Sequence, residues 1–132
     1  MKNGLNLIIV GIGCAFGAII RNLFLITIGK AYTDPTAVIL VNVIGCFIIG
    51  ILTALSIKKY SRVKWFLPLL STGFCGGLTT FSEFADGTYF IYIHNHPYLA
   101  ISYIIMTMIL GMIALMIGLK IILKGQMNDI IW

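Results

Sequence analysis

Charged residues are absent from four long stretches of this chain, Asn3–Ile20, Pro35–Ile57, Trp65–Ser82 and Gly87–Leu119, and that absence governs what it can fold into. About 20 apolar residues cross the hydrocarbon of a bilayer. Each of the first three stretches suffices for one span, the third continuing past its charges. The fourth is too long for one and contains Ile93-His94-Asn95-His96-Pro97, a polar stop followed by proline. A turn is expected there. The sequence therefore predicts an all-α integral membrane protein, a single domain over 1–132 with helices at about 4–28, 36–57, 65–93 and 97–123. A soluble domain needs a charged shell, which a chain 60% hydrophobic and 10% charged cannot build. The first helix does not read as a cleavable leader, because its apolar stretch is too long and Gly11, Gly13 and Gly17 suit helix packing.

Four spans put both termini and the middle connection on one side. That side carries Lys2, Lys58, Lys59, Arg62, Lys64, Lys120 and Lys124, against Lys30 alone, balanced by Asp34, on the other. Seven cations against one predict both termini in the cytoplasm. The same bias accounts for the net charge of +5, and the basic residues lack the interleaved aromatics of a nucleic-acid face. No nucleic-acid partner is expected.

The segment from Thr72 to Ser82, Thr-Gly-Phe-Cys-Gly-Gly-Leu-Thr-Thr-Phe-Ser, sets three glycines and four hydroxyls inside the third span. No water is available there for a freed backbone group, so a helix breaks only where the backbone itself is needed. The glycines are read as permitting unusual dihedrals and the hydroxyls as satisfying part of what the break exposes. This segment is the candidate site.

Other residues are costly in a membrane. Arg21 lies near the far end of the first helix, where it either faces a watery cavity or partner or snorkels to the interface. Asn42 is deeper, and a lone Asn in a membrane helix most often bonds a neighbouring helix. Phe81 and Phe84 stand three apart on one helical face, either as core packing or with their positive ring edges toward an anion. Glu83 and Asp86 mark a vestibule or the far interface. Gly13-x-x-x-Gly17, with Gly45, Gly50, Gly111 and Gly118, predicts close packing, read as that of an oligomer.

Several chemistries find no support. Gly11, Gly13 and Gly17 echo a dinucleotide fingerprint but lie inside an apolar run with no strand before them. Cys14, Cys46 and Cys75 fit no metal spacing and read as packing residues. His94 and His96 read as loop histidines, and no Ser/His/Asp or Cys/His arrangement is visible. An enzyme is not expected.

Taken together, the residues resemble the Fluc (CrcB) family of fluoride channels. The likeness covers the chain through Gly13-x-x-x-Gly17-Ala18-x-x-Arg21, Asn42-x-x-Gly45, and the run from Gly73 to Ser82 followed by Phe84. It implies an antiparallel dimer in a bacterial cell membrane that passively exports cytoplasmic fluoride. By that likeness Asn42 lines the pore, Phe81 and Phe84 present ring edges, and Thr80, Ser82, Tyr103 and Thr107 supply hydroxyls. Backbone carbonyls of Gly76 and Thr79 would hold a structural Na⁺ at the dimer interface, and Arg21 would add positive charge to the anion's vestibule.

Three departures stand out. Glu83 occupies a position that is often small or hydroxylated in the family, and Gly111 stands where another hydroxyl is expected after Tyr103 and Thr107. The charge bias should fix one orientation, which suggests a heterodimer with a second, inverted subunit, a homodimer being the other arrangement. The rivals are a small multidrug exporter, which would need a glutamate in its first helix, and a non-conducting partner subunit.

Overall fold

The computed structural model describes residues 2–28, 34–57, 65–94 and 96–123. They form helix α1 (Lys2–Ile28), helix α2 (Pro35–Ile57), a π-helical segment (Pro68–Cys75), a single turn α3 (Gly76–Leu78), helix α4 (Phe81–Ile93) and helix α5 (Pro97–Leu123). Among the described residues there is no strand. Gly4–Ile28, Pro35–Ile57 and Pro97–Leu123 are long and apolar enough to cross a membrane. Lys30, Lys58, Lys59, Arg62, Lys64 and Lys124, on which the predicted orientation rests, lie outside the described residues, as does the Lys2 side chain.

Local chemistry explains the ends. Asp34 starts α2, its carboxylate accepting from Thr36 N at 2.9 Å and its carbonyl from Val38 N at 3.2 Å. Pro97 opens α5 where its missing N–H costs nothing. His94 closes α4, its amide reaching Phe90 O at 3.4 Å and its ring Nδ1 lying 2.8 Å from the same oxygen.

The third run departs from one continuous helix in a specific place. Thr79 (φ −77°, ψ 155°) and Thr80 (φ −145°, ψ 123°) are extended, so the backbone straightens for two residues between α3 and α4. These dihedrals are open to any residue. The nearby glycines are helical, and none has positive φ. The expectation that they supply unusual dihedrals is therefore corrected. They serve close approach.

Gly73 and Gly77 face Gly13 and Gly17 of α1. A Cβ on Gly73 would stand 2.7 Å from Val10 O, and one on Gly77 would strike the Cys14 carbonyl. In return, a Cβ on Gly17 would lie 2.7 Å from Leu78 N. Two small-residue stripes thus mesh backbone to backbone. A second seam joins α2 to α5, where Gly50 lies against Leu115 and Gly118 against Phe47. Gly45 meets the Thr79 side chain, and Gly111 approaches Cys46 Sγ, at 3.3 Å from a Cβ built there. The glycines assigned to an oligomer are occupied inside one chain.

Candidate functional site

The break is held open from across the bundle. Asn42 on α2 donates Nδ2–H to Thr80 O at 3.1 Å and accepts Thr80 N–H on Oδ1 at 2.8 Å. Its amide occupies the place of a neighbouring strand, satisfying both backbone groups of the extended residue. The Thr80 amide would otherwise continue the helical ladder to Gly76 O. Diverting it to Asn42 leaves that carbonyl without its usual donor.

Thr80 also starts α4. Its hydroxyl accepts from Glu83 N at 3.2 Å and lies 3.2 Å from Ser82 Oγ. Thr-x-x-Glu is the capping-box spacing, in which the glutamate reaches back to the cap's own amide. That amide is already taken by Asn42. Glu83 turns instead to Arg21, whose Nε is 3.6 Å from Oε1.

Arg21 joins the two sides of the break. Its Nη1 donates to Gly77 O at 3.2 Å and Thr79 O at 3.5 Å, so the guanidinium covers carbonyls at the C-terminal, negative end of the preceding helical turn. Arg21 and Glu83 side chains are 25% and 22% exposed, with Arg21 Nε and Glu83 Oε2 buried and unbonded among the described residues. The pair is held by charge rather than by a close hydrogen bond, and the Glu83 carboxylate does not stand alone.

The aromatic residues follow from the first turn of α4. Phe84 packs on a buried cluster of Leu25, Ala37 and Val38. It stacks on Tyr103 at a ring-centroid distance of 5.4 Å and meets Phe81 at 5.8 Å, tilted by 46°. Phe81 itself is 79% exposed and extends off the chain.

These residues converge on one hollow of about 320 Å³, lined by Asn42, Thr79, Thr80, Phe81, Phe84 and Thr107 together with Cys46, Ile49 and Met108. Ser82 reaches it through Thr80 and Tyr103 through Phe84. Their donors differ in availability. Asn42 keeps a second Nδ2–H. Thr107 gives its proton to Tyr103 O at 2.7 Å, so it offers the hollow lone pairs unless it rotates. The Tyr103 hydroxyl is buried with no hydrogen-bond partner among the described residues, a donor held in reserve. Gly76 is exposed, and a Cβ there would meet nothing within 4 Å.

Sequence reasoning did not anticipate the Arg21–Glu83 pair, the Gly73–Gly77 stripe, or Cys46, Ile49 and Met108 in the wall. Thr80-x-x-Glu83 was the available signal for the first, and the four-residue glycine spacing for the second.

Residues 8–119 match the family described as CrcB-like protein, Camphor Resistance (CrcB). The chain belongs to the CrcB family. A protein of Francisella tularensis named fluoride-specific ion channel FluC is 36% identical over 127 residues, 91% of this CrcB chain and 96% of its own length. Proteins of the same name from Azobacteroides pseudotrichonymphae (34% over 118 residues) and Prosthecochloris aestuarii (35% over 115) each cover 86% of this chain and at least 90% of their own. With the family shown, the apolar helices of this CrcB chain make it a multi-pass membrane protein.

Proposed function

We propose that this CrcB chain is one subunit of a passive, fluoride-selective channel that lowers cytoplasmic fluoride. The convergence of Asn42, Thr80, Phe81, Phe84 and Thr107 on one hollow carries this reading, and the relatives named as fluoride channels support it. Fluoride binds water tightly, so a selective path must replace that water with donors. The spare Nδ2–H of Asn42, the Tyr103 hydroxyl and the positive edges of Phe81 and Phe84 are such groups. No coupling ion is required, since a negative interior drives an anion outward by about 2.3 kcal/mol per 100 mV.

The hollow has walls from one chain on one side only, and Phe81 projects from it. A second subunit closes the path, inverted so that the break meets its counterpart across a two-fold axis. The third run then forms a fourth, broken span. The seven-to-one charge bias favours cytoplasmic termini and a separate inverted homologue over a homodimer.

Carbonyls of Gly76 and Thr79 are assigned to a structural Na⁺ between subunits. The residues fit. Gly76 O has lost its helical donor, Gly76 faces open space, and among the described residues Thr79 O has only the long Arg21 contact at 3.5 Å. Carbonyl oxygens suit a hard cation. When bound, the ion would offset the negative ends of the freed Gly76 and Thr79 carbonyl dipoles.

Cells lacking their own fluoride export test the reading. Expression of this chain with its inverted homologue is expected to restore growth in fluoride, and Phe81→Ala to abolish the rescue. Unchanged sensitivity with both proteins in the membrane would refute it.

A further inference from the structure

A second hollow, about 340 Å³, lies between the C-terminal end of α2 and the π-helical segment, lined by Thr53, Ser56, Ile57, Leu67, Pro68, Ser71 and Thr72. Four of those seven residues carry hydroxyls. Five other hydroxyls among the described residues are turned back on their own helix. Thr27, Thr79, Thr88, Ser102 and Thr107 each donate to a carbonyl three or four residues earlier, at 2.7–2.9 Å. Among the described residues, the hydroxyls of Thr53, Ser56, Ser71 and Thr72 have no hydrogen-bond partner. Four unmatched hydroxyls exposed to lipid would be costly, which favours polar content in this hollow.

Its position relates it to the first hollow. Asn42, Cys46, Ile49, Thr53 and Ser56 follow one another by three or four residues and share one face of α2. The first three line the first hollow, and the last two line the second. Ile49 and Thr53 are one turn apart, about 6 Å along the axis, and Asn42 and Thr53 about 16 Å. The opposite wall steps in the same way, from Thr79 in the first hollow to Ser71 and Thr72 in the second.

The charge of the content follows from the lining. No acid lines the hollow, and hydroxyl groups are donors as well as acceptors. The connection from Ile57 to Trp65 has the sequence Lys58-Lys59-Tyr60-Ser61-Arg62-Val63-Lys64, four cations and no acid. A positive local potential concentrates anions.

We propose that the Thr53–Ser56–Ser71–Thr72 hollow is an outer site for a small, partly hydrated anion, which waits there before losing its water at Asn42. The inference rests on the fluoride-channel reading and names a site that reading does not contain. Hydroxyls exchange with hydration water at little cost, so the site holds the anion without stripping it. Dehydration falls to the aromatic hollow around Asn42, about 16 Å along α2 from Thr53.

Fluoride efflux from liposomes holding the channel tests this, measured over a range of internal fluoride. Thr53→Val and Ser71→Ala remove donors with little change of volume. Each is expected to lower the initial rate at low fluoride by about fivefold, the worth of one hydrogen bond, with the loss vanishing as fluoride rises. Thr53→Ser, which keeps the hydroxyl, should retain the wild-type curve. Ser102→Ala, whose hydroxyl is turned back on Leu99, should also leave it unchanged. Wild-type curves from both donor-removing variants would overturn the proposal, as would a loss independent of fluoride concentration. A wild-type channel that passes no fluoride would instead overturn the reading beneath it.

Discussion

Asn42 and Thr80 exchange two hydrogen bonds, 3.1 Å and 2.8 Å long, across 38 residues of sequence. One primary amide thereby satisfies both backbone groups of an extended residue inside a membrane protein. Removing it leaves a buried N–H and C=O without partners, at a cost of about 1–3 kcal/mol each. Asn42→Ala is expected to lower the thermal midpoint of the detergent-solubilised protein and to stop fluoride flux. Asn42→Asp keeps an acceptor for Thr80 N–H but sets a carboxylate oxygen against Thr80 O and strands a charge, so it should be no more stable than Ala. Equal stability of Asn42→Ala and wild type would show that the clasp does not hold the break.

Arg21 and Glu83 form the second constraint on the same turn. Taking away one member of a half-buried pair strands the other charge, whereas taking away both does not. Glu83→Gln is expected to destabilise the protein by about 1–3 kcal/mol, and much less in an Arg21→Gln background. A double-mutant cycle in thermal unfolding reads the coupling. Additive losses would mean that the 3.6 Å approach is incidental.

Gly76 and Gly77 are neighbours with opposite surroundings. A Cβ at 77 collides with the Cys14 backbone, and a Cβ at 76 meets nothing in its own chain. Gly77→Ala is expected to disrupt the α1 seam and reduce yield of folded protein. Gly76→Ala should fold, yet weaken assembly with the inverted subunit. Size-exclusion chromatography of both variants distinguishes the two effects, and normal assembly of Gly76→Ala would place that residue away from the two-fold axis.

The proposed Na⁺ makes its own prediction. Replacing Na⁺ by a large organic cation should slow fluoride flux and lower the thermal midpoint of the proposed dimer, with recovery on returning Na⁺. Arg21 already reaches Thr79 O, so the residual flux without Na⁺ should be smaller in Arg21→Gln than in wild type. Identical flux in both ionic media would remove the ion from the account.

Much of this architecture was legible in the chain. Uncharged runs located α1, α2 and α5 to within two residues, because hydrocarbon thickness sets span length. The segment expected to hold an interruption, Thr72–Ser82, contains the two extended residues, Thr79 and Thr80, while Phe81 and Ser82 already belong to α4. The physical role of the glycines was misread. Gly73 and Gly77 alternate with bulky residues at helical spacing, and only the opposing Gly13 and Gly17 show that they are contact surfaces. The Arg21–Glu83 pair joins residues far apart in sequence. Its geometry depends on Asn42 taking the Thr80 amide first, and no single segment encodes that sequence of displacements.

Whether these residues form a selective fluoride path is read from efflux out of liposomes. Liposomes containing this chain and its inverted homologue are loaded with fluoride or chloride and made permeable to potassium, and release is followed with ion-selective electrodes. Fluoride is expected to leave rapidly while chloride stays, and Asn42→Ala or Phe81→Ala should stop the fluoride. Equal release of both anions, or no fluoride release with both subunits present, would contradict the account.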